Sequence, residues 1–260
     1  MVPSDSGIWK GEEERSGVSF SSGSPSPAPS PPLLYPNLGG DPSAPQFVTP
    51  SFTYTPFYCE ENVYFLCKKL SLFGIADPKS NDLFAVFISN EEKQVPLFRQ
   101  KASKRVDGLV VWDYHVICIQ SRRDGEGRVK HVVWDLDSNL PFPLDLSDYM
   151  AETIRPLLSS SFTLDRYFRV IHAPIFLQSF ASDRSHMKDP SGNWLCPPPN
   201  YDPVVAEDGT ANNINEYIQI HATDQITDRS LLVDSLFSRK LGVIVGEEKL
   251  VDLFSWISSS

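Results

Sequence analysis

The chain has 260 residues, of which 41% are hydrophobic and 12% aromatic, and its formal net charge at pH 7 is −10. This length suits one large domain or two small ones, and the apolar content can fill a sizeable core. The acidic balance argues against a surface for nucleic acid or an anionic membrane, because both require clustered Lys and Arg.

Residues 1–47 differ in composition from the rest of the chain. The run SGVSFSSGSPSPAPSPPLLYPNLGGDPSAPQ is rich in Ser, Pro and Gly and has no periodic apolar positions. Such a segment cannot bury enough apolar surface to offset the entropy of ordering, so we expect it to be a disordered tail. A tail that docks a partner is the alternative, since Pro-rich segments also act as ligands. Residues 48–260 are predicted to form a single domain.

No targeting or membrane segment is evident. The opening MVPSDSGIWKGEEERSG lacks the apolar run of a signal peptide, and no stretch approaches the roughly 18 apolar residues of a spanning helix. The cysteines form no CxxC pair and lack zinc-ligand spacing with histidine; they are Cys59, Cys67, Cys118 and Cys196. We therefore expect reduced thiols in a cytoplasmic setting, with no metal.

The first predicted element is a helix that carries a cysteine at its start. Apolar residues recur at helical spacing over one stripe, formed by Val63, Leu66, Cys67 and Leu70. Cys59 precedes this stripe and is followed by Glu60 and Glu61, which suit the positive end of a helix dipole. Cys59 therefore lies at a helix N-terminus and outside the apolar stripe.

The rest of the chain is predicted to form an antiparallel sheet and two further helices. Strands are predicted over Leu83–Ile88, Leu109–Gln120, Val129–Leu136, Arg166–His172 and Leu241–Val245. Short helices are predicted over Pro174–Phe180 and Glu247–Trp256, and a polar loop over Ala181–Gly209. The fold class predicted is α+β, with the cysteine-bearing helix packed on an antiparallel sheet.

A cysteine at a helix N-terminus has a chemical role open to it. The backbone N–H groups and the dipole favour the thiolate, which is the attacking form, while two adjacent carboxylates oppose it. A nearby base, most often histidine, would then be needed. The alternative is that a cysteine is simply a small buried hydrophobe, and this suits Cys67 and Cys118 better than Cys59.

The turn Asp124–Gly127 supplies a candidate base and its partner. If the two flanking strands pair symmetrically about Gly125, His115 faces Asp135 at about 5 Å between Cβ atoms. Alternation along the strand puts Asp113 on the same face as His115 and Trp112 on the other. A catalytic role and a purely structural role both remain open for this His–Asp pair.

The polar run Phe180–Asp189, which contains Ser182, Asp183 and His186, could line a cleft or cap loops.

Five ordered segments resemble those of the WDYHV-motif family, the protein N-terminal glutamine amidohydrolases. The signature is Trp112-Asp113-Tyr114-His115-Val116. The other matching segments are Tyr58–Asn62, Ala85–Asn90, Asp135–Asp137 with Leu140–Pro143, and Phe180–Asp189 with Gly192–Trp194. The resemblance covers about residue 50 to Phe254. The tail and a stretch near Asp224–Ser238 lie outside it.

The resemblance implies a specific activity. Such a protein has a papain- and transglutaminase-like fold and works as a monomer without a cofactor, in the cytoplasm or nucleus. It converts the N-terminal Gln of proteins and peptides to Glu with release of ammonia. This conversion feeds the arginine branch of the N-degron pathway. The family's catalytic residues fall on Cys59, His115 and Asp135, the same three that helix start and hairpin register select.

Substrate recognition and two rival functions stay open. A free N-terminal Gln needs an acceptor for its α-ammonium group, and Asp113, Ser182 and Asp183 are the candidates. One rival is a papain- or transglutaminase-like peptidase or thiol acyltransferase with the same triad, weakened by the lack of an EF-hand calcium loop. The other is a non-catalytic module that binds protein N-termini.

The tail generates the first testable prediction. Deleting residues 1–47 should leave the melting temperature and the glutamine-deamidating turnover nearly unchanged, because this segment has no core-forming pattern. Thermal denaturation and an ammonia-release assay on both lengths of chain test it. A large fall in melting temperature would place the domain boundary further towards the N-terminus.

Overall fold

The computed structural model describes residues 52–154 and 165–258. The predicted tail, residues 1–47, lies outside these ranges, as do the first four residues of the predicted domain. None of the helices in the described ranges is long and apolar enough to cross a membrane.

Strands and helices alternate irregularly along the chain. The strands are β1 (Leu83–Ser89), β2 (Val95–Leu97), β3 (Val110–Trp112), β4 (His115–Arg123), β5 (Val129–Trp134), β6 (Leu144–Asp145), β7 (Tyr167–His172) and β8 (Val243–Gly246). The α-helices are α1 (Cys59–Leu72), α2 (Leu146–Tyr149), α3 (Ala173–Ser179), α4 (Ile214–Ile218), α5 (Arg229–Leu236) and α6 (Glu247–Ile257). A π-helical turn, Met150–Ile154, follows α2, and two 3₁₀ turns cover Ser185–Met187 and Ala222–Asp224.

A six-stranded sheet forms the centre, in the order β6-β5-β4-β1-β7-β8, and every neighbouring pair is antiparallel. Helices pack on both of its faces. On β1, the ring of Phe84 contacts Phe254 of α6, and the ring of Phe87 contacts Phe176 of α3 and Tyr217 of α4. All seven residues of β1 are buried. The predicted mixture of helix and antiparallel sheet is confirmed.

Helix α1 begins at Cys59, as predicted, and its apolar stripe is buried against the sheet. The sulfur atoms of Cys67 in α1 and Cys118 in β4 lie 3.8 Å apart in this interface, as expected of small buried hydrophobes. The first turn of the helix is also buried, although Glu60 and Glu61 are charged residues. The helix therefore starts inside the protein rather than at its surface.

The single strand predicted over Leu109–Gln120 is wrong, because the chain forms two strands there. β3 pairs with β2 in a separate two-stranded sheet, whereas β4 belongs to the central sheet. Between them Asp113 Oδ1 accepts a hydrogen bond from the backbone N–H of Tyr114 at 3.0 Å. Such a local bond competes with a strand ladder. The break lets the Trp112 ring stack on His115, with centroids 5.6 Å apart, so these side chains do not occupy opposite faces.

The predicted hairpin register is wrong by two residues. Cys118 pairs with Trp134 and Ile119 with Val133, so paired residue numbers sum to 252 rather than 250. The turn is centred on Glu126, because Asp124 N–H bonds Arg128 O and Gly127 takes a left-handed conformation (φ 79°). A three-residue loop closed by a left-handed Gly is a common hairpin connection. A shift of two preserves which face each side chain occupies.

The other predicted strands and helices are confirmed to within a few residues. The elements that the sequence pattern missed are short or polar: β2, β6, α2 with its π-helical turn, α4, α5 and the two 3₁₀ turns. The run Ala181–Gly209 is a loop, as predicted, apart from the 3₁₀ turn within it.

A buried ion pair fixes this loop to the start of α1. Arg184 Nε and Nη2 lie 2.8 and 2.9 Å from the two carboxylate oxygens of Glu61. Both side chains are almost fully buried, and burial raises the pKa of Glu61 more than the Arg184 charge lowers it. Arg184 adopts a left-handed backbone (φ 63°) and lies over the ring of Tyr201. The pair thus holds loop, helix and ring together.

Removing one partner of this pair should destabilise the fold. Arg184→Met leaves the Glu61 charge buried without a partner, which costs about 3–5 kcal/mol of unfolding free energy. Chemical denaturation measures the loss. Arg99→Met is the matched control, because Arg99 pairs with Glu152 where both side chains are more than 40% exposed. The control should cost less than about 1 kcal/mol. Equal losses of unfolding free energy for the two variants would show that the buried pair contributes no more to stability than the exposed one.

Candidate active site

The thiol of Cys59 is buried where α1 meets β4. Cys59 is the first residue of the helix and is 2% exposed. Its sulfur forms a hydrogen bond with the backbone of Val116, the second residue of β4. The side chain of Glu60 lies close by, with Oε2 at 3.7 Å from the sulfur. The thiol is thus held one residue from His115.

His115 begins β4 and is fully buried. Its Nε2 lies 3.0 Å from Oδ1 of Asp135, which directly follows β5. A carboxylate only accepts hydrogen bonds, so Nε2 carries the proton in this pair and Nδ1 of the neutral ring keeps its lone pair. Within the described residues Nδ1 has no hydrogen-bond partner. The pairing therefore defines one tautomer, with a basic nitrogen on the other side of the ring.

Asp135 is a buried carboxylate with its oxygens fully engaged. In addition to His115, it accepts the Tyr149 hydroxyl at 2.8 Å and the backbone N–H of Asp137 at 2.9 Å. Burial alone would raise the pKa of Asp135, but the charge and hydrogen bond of His115, together with the two other donors, hold it below its ordinary value. Asp135 is thus ionised and fixed in orientation.

Asp135 contacts the edge of the His115 imidazole, and Trp112 contacts its face. Burial would lower the pKa of His115, but the Asp135 carboxylate, together with the nearby carboxylates of Asp137 and Glu60, outweighs burial and raises that pKa above its ordinary value. The Trp112 ring stacks on the imidazole at an interplanar angle of 18°, and Trp112 Nε1 donates to Gln100 Oε1 at 3.2 Å. This second bond anchors the indole, so the histidine ring has little freedom to rotate.

The surroundings of Cys59 oppose its ionisation. Burial raises the pKa of the thiol, and the nearby carboxylates of Glu60, Asp137 and Asp113 raise it further. The backbone hydrogen bond with Val116 lowers it, but by less. The cysteine at rest is therefore a thiol, and a base must take its proton before it can attack.

Asp137 is a second buried carboxylate beside the His–Asp pair. Its Oδ1 accepts the Tyr54 hydroxyl at 2.7 Å. Burial raises the pKa of Asp137, and the neighbouring Asp135 charge adds to the rise. Asp137 lies in a turn, as predicted, but the strands separate earlier than predicted, after the Cys118–Trp134 pair.

Three of these side chains satisfy the distance criterion for a metal site. One ligand atom from each of His115, Asp135 and Asp137 lies within 4.8 Å of the others. The donor set does not fit a cation well, because Asp135 already accepts three hydrogen bonds and Asp137 accepts one from Tyr54. A metal would have to displace these donors, so the group is better described as a hydrogen-bonded His–Asp pair.

A second buried cluster adjoins the thiol and was missed at the level of sequence. Glu60 Oε2 accepts the Tyr114 hydroxyl at 3.1 Å, and Tyr114 Oη lies 3.3 Å from His186 Nε2. His186 Nε2 is 3.4 Å from Glu60 Oε1. The sequence placed Glu60 at a helix start, where charged residues are normally exposed, so its burial gave no local signal.

The three predicted substrate-binding residues occupy different positions. Asp113 is half-buried and its charge acts on Cys59, so it lies near the thiol. Ser182 Oγ accepts from Arg184 N–H at 3.4 Å, and Asp183 accepts from Ser185 N–H and Asn212 Nδ2. Among the described contacts, none joins Ser182 or Asp183 to Cys59, His115 or Asp135. Their recorded bonds are those of loop caps, and a role in substrate binding stays a prediction.

Comparison with known proteins identifies one family. A family model described as N-terminal glutamine amidase matches residues 54–254. The chain is 58% identical over 205 residues to protein N-terminal glutamine amidohydrolase from Oryza sativa subsp. indica, covering 79% of this chain and 88% of that protein. It is 51% identical to the Arabidopsis thaliana protein of the same name, covering 78% and 92%, and 40% identical to that of Drosophila grimshawi, covering 61% and 74%.

One solved structure is similar at a lower level. The NMR structure of protein-glutaminase from Chryseobacterium proteolyticum aligns with a TM-score of 0.30 and 12% sequence identity. The alignment covers 54% of this chain and 61% of that one.

Proposed function

The chain belongs to the N-terminal glutamine amidase family, and we propose that it hydrolyses the side-chain amide of N-terminal glutamine through a thioester on Cys59. The observation that carries this mechanism is the His115–Asp135 hydrogen bond at 3.0 Å. It fixes a basic nitrogen on the ring of His115, whose chain neighbour Val116 bonds the thiol of Cys59 through its backbone. His115 acts as the base, and Asp135 orients it.

The first half of the reaction forms the thioester. Nδ1 of His115 takes the thiol proton, and Cys59 attacks the amide carbon of the glutamine side chain. The imidazolium formed is stabilised by the ionised Asp135, which does not itself become protonated. His115 then gives the proton to the leaving nitrogen, the C–N bond breaks, and ammonia departs.

The oxyanion formed during attack needs hydrogen-bond donors. Cys59 is the first residue of α1, so its backbone N–H lies at the positive end of the helix dipole. We assign this N–H as one donor to the oxyanion. Donors held in place in a buried site stabilise developing charge more strongly than water does.

The second half of the reaction releases the product. Water attacks the thioester carbon while His115 takes a proton from it, the C–S bond breaks, and Cys59 recovers its proton. The sum is glutamine side chain plus water giving glutamate side chain plus ammonia. No redox step or cofactor enters this balance.

Two rival functions share part of this site. A peptidase or thiol acyltransferase with a papain- or transglutaminase-like fold would form the same kind of thioester but would accept a different amide or a different nucleophile. A module that only binds N-termini would need no base at all. The engaged carboxylate of Asp135 favours an enzyme, because it stabilises a charged imidazole that binding alone does not require.

Several finer features belong to the same proposal. We assign the fold to the papain- and transglutaminase-like group, because a helix that begins at the cysteine packs on an antiparallel sheet that carries the histidine. The reaction would feed the arginine branch of the N-degron pathway, in the cytoplasm or nucleus, with the enzyme acting as a monomer.

The nucleophile assignment predicts a clear result for peptides read by mass spectrometry. The protein should convert a peptide that begins with free Gln to one that begins with Glu, and should leave peptides beginning with Asn or acetyl-Gln unchanged. Cys59→Ala should abolish the conversion and keep the fold, because only the sulfur that forms the thioester is lost.

Cys67→Ala is the matched control for the nucleophile. Cys67 is fully buried on the apolar stripe of the same helix, so its loss should lower the melting temperature and spare the chemistry. Full conversion by Cys59→Ala would disprove the mechanism. Conversion of acetyl-Gln peptides would instead point to a general glutaminase.

The two buried aspartates should differ in their effect on rate. Asp135→Asn should cut turnover by about 10³–10⁴-fold, as loss of the orienting carboxylate does in a triad. Asp137→Asn should cost much less, because the Asp137 side chain accepts from the Tyr54 hydroxyl and, among the described contacts, forms no hydrogen bond with His115. Its backbone N–H, which donates to Asp135, is kept in the variant. Steady-state kinetics on a Gln peptide measure both.

The same variants should separate in pH dependence. Activity requires neutral His115, so kcat/KM rises with pH through the pKa of His115. Asp135 raises that pKa, so Asp135→Asn should move the acidic limb to lower pH. Turnover lost in Asp137→Asn and kept in Asp135→Asn would reassign the orienting carboxylate.

A further inference from the structure

We propose that the carboxylate of Glu60 accepts the α-ammonium group of the substrate, so that Glu60 selects a free N-terminus. This inference rests on the proposed deamidation at Cys59. It assigns a specificity-determining residue on the helix that also carries the nucleophile.

Glu60 offers a buried carboxylate oxygen with capacity to spare. The residue is fully buried, and its Oε2 accepts the Tyr114 hydroxyl at 3.1 Å. Its Oε1 has no hydrogen-bond partner among the described residues. His186 Nε2 lies 3.4 Å from Oε1 without forming a hydrogen bond to it. A buried acceptor left in this state costs free energy, which a ligand that donates to it would recover.

The neighbouring glutamate, Glu61, is a buried carboxylate whose partners come entirely from the protein. Glu61 is equally buried, but both of its oxygens are bonded by Arg184. Two consecutive buried glutamates therefore differ in their partners. Both oxygens of Glu61 bond one guanidinium group. Glu60 Oε2 accepts the Tyr114 hydroxyl and the Cys59 thiol, whereas Oε1 has His186 Nε2 at 3.4 Å but no hydrogen bond among the described residues. A cation supplied by the substrate would complete the second pair.

The distance from the nucleophile suits N-terminal glutamine. Glu60 Oε2 lies 3.7 Å from the sulfur of Cys59. Four bonds of about 1.5 Å join the α-nitrogen of glutamine to its amide carbon, so these atoms are about 4–5 Å apart. The amide carbon must approach the sulfur to about 3–3.5 Å. A glutamine in that position can place its ammonium group within hydrogen-bond distance of the Glu60 carboxylate.

The charges around Cys59 also call for a cation. Glu60, Asp137 and Asp113 all raise the pKa of the thiol, which hinders the attack that the site has to perform. An ammonium group bound to Glu60 would offset this effect and favour the thiolate. A free N-terminus should therefore increase kcat as well as lower KM.

Kinetics on a matched peptide pair test the proposal. One peptide begins with Gln, and the other begins with desamino-glutamine, which lacks only the α-amine. For wild-type protein kcat/KM should be much higher on the Gln peptide. Glu60→Gln should reduce that ratio by about 10- to 100-fold, the factor that follows from losing a hydrogen bond to a charged group.

Glu61→Gln is the matched control, since it makes the same change in the adjacent buried residue. It should lower the melting temperature and leave the ratio unchanged. The pH profile of Cys59 alkylation by iodoacetamide adds a readout that a purely structural role would not move. Removing the Glu60 charge should shift the alkylation midpoint to lower pH, whereas Glu61→Gln should not.

The remaining outcomes separate failure of the Glu60 assignment from failure of the proposed deamidation. An unchanged ratio in folded Glu60→Gln disproves the proposal while deamidation stands, and an equal loss on both peptides would assign Glu60 to the side-chain amide instead. If wild-type protein releases ammonia from neither peptide, the proposed function itself fails.

A second pair of variants applies if Glu60→Gln does not fold. Glu60→Asp withdraws the carboxylate by about one bond length and should reduce the ratio several-fold. Tyr114→Phe removes the hydroxyl bonded to Oε2 but keeps the carboxylate, and should retain the ratio. A full ratio in Glu60→Asp would disprove the proposal.

Discussion

The buried hydrogen bond between His115 and Asp135 is the constraint on which the rest of the site depends. It joins His115, the first residue of β4, to Asp135, which directly follows the neighbouring strand β5. Burying a charged carboxylate is costly unless its oxygens are hydrogen-bonded, and Tyr149 and the Asp137 backbone N–H supply the further donors to Asp135. The cost of burying the charge is thereby offset, and His115, the proposed base, is oriented before any substrate arrives. Preorganisation of this kind is how a site avoids reorganising during reaction.

The second constraint is that α1 begins inside the protein. Placing Cys59 in a buried first turn forces the two following glutamates into the interior as well. Glu61 is neutralised by Arg184 from the loop after α3, which fixes that loop against the helix. Glu60 Oε1 has no hydrogen bond among the described residues, while its Oε2 lies 3.7 Å from the thiol sulfur. One helix start thus sets the position of the proposed nucleophile, the position of the loop and an acidic environment, and a change to any of the three affects the others.

Local patterns predicted part of the secondary structure and missed the short or polar elements. The apolar stripe of α1 and the strands β1, β5, β7 and β8 were recognisable because their periodicity reflects burial directly. The hairpin predicted from the turn residues paired His115 with Asp135, although its register was wrong by two residues. An even shift keeps each side chain on its face, so the pair stayed on one side of the hairpin. The strand break at Asp113 was missed because a side-chain bond to the next backbone N–H leaves no periodic signal.

The sequence by itself determined the family, the helix-start cysteine and the side chains available to act as base and carboxylate. These depend on residue types and on spacing within one element, which the order of residues records directly. Only the tertiary structure decided that Asp135 reaches His115 from a turn beyond the strand ladder, that Trp112 stacks on the imidazole and that Glu60 is buried beside the thiol. Each of these joins elements far apart in the chain or depends on what covers a helix end. Such contacts follow from how the elements pack against one another, and the pattern within a single element does not record which partner it meets.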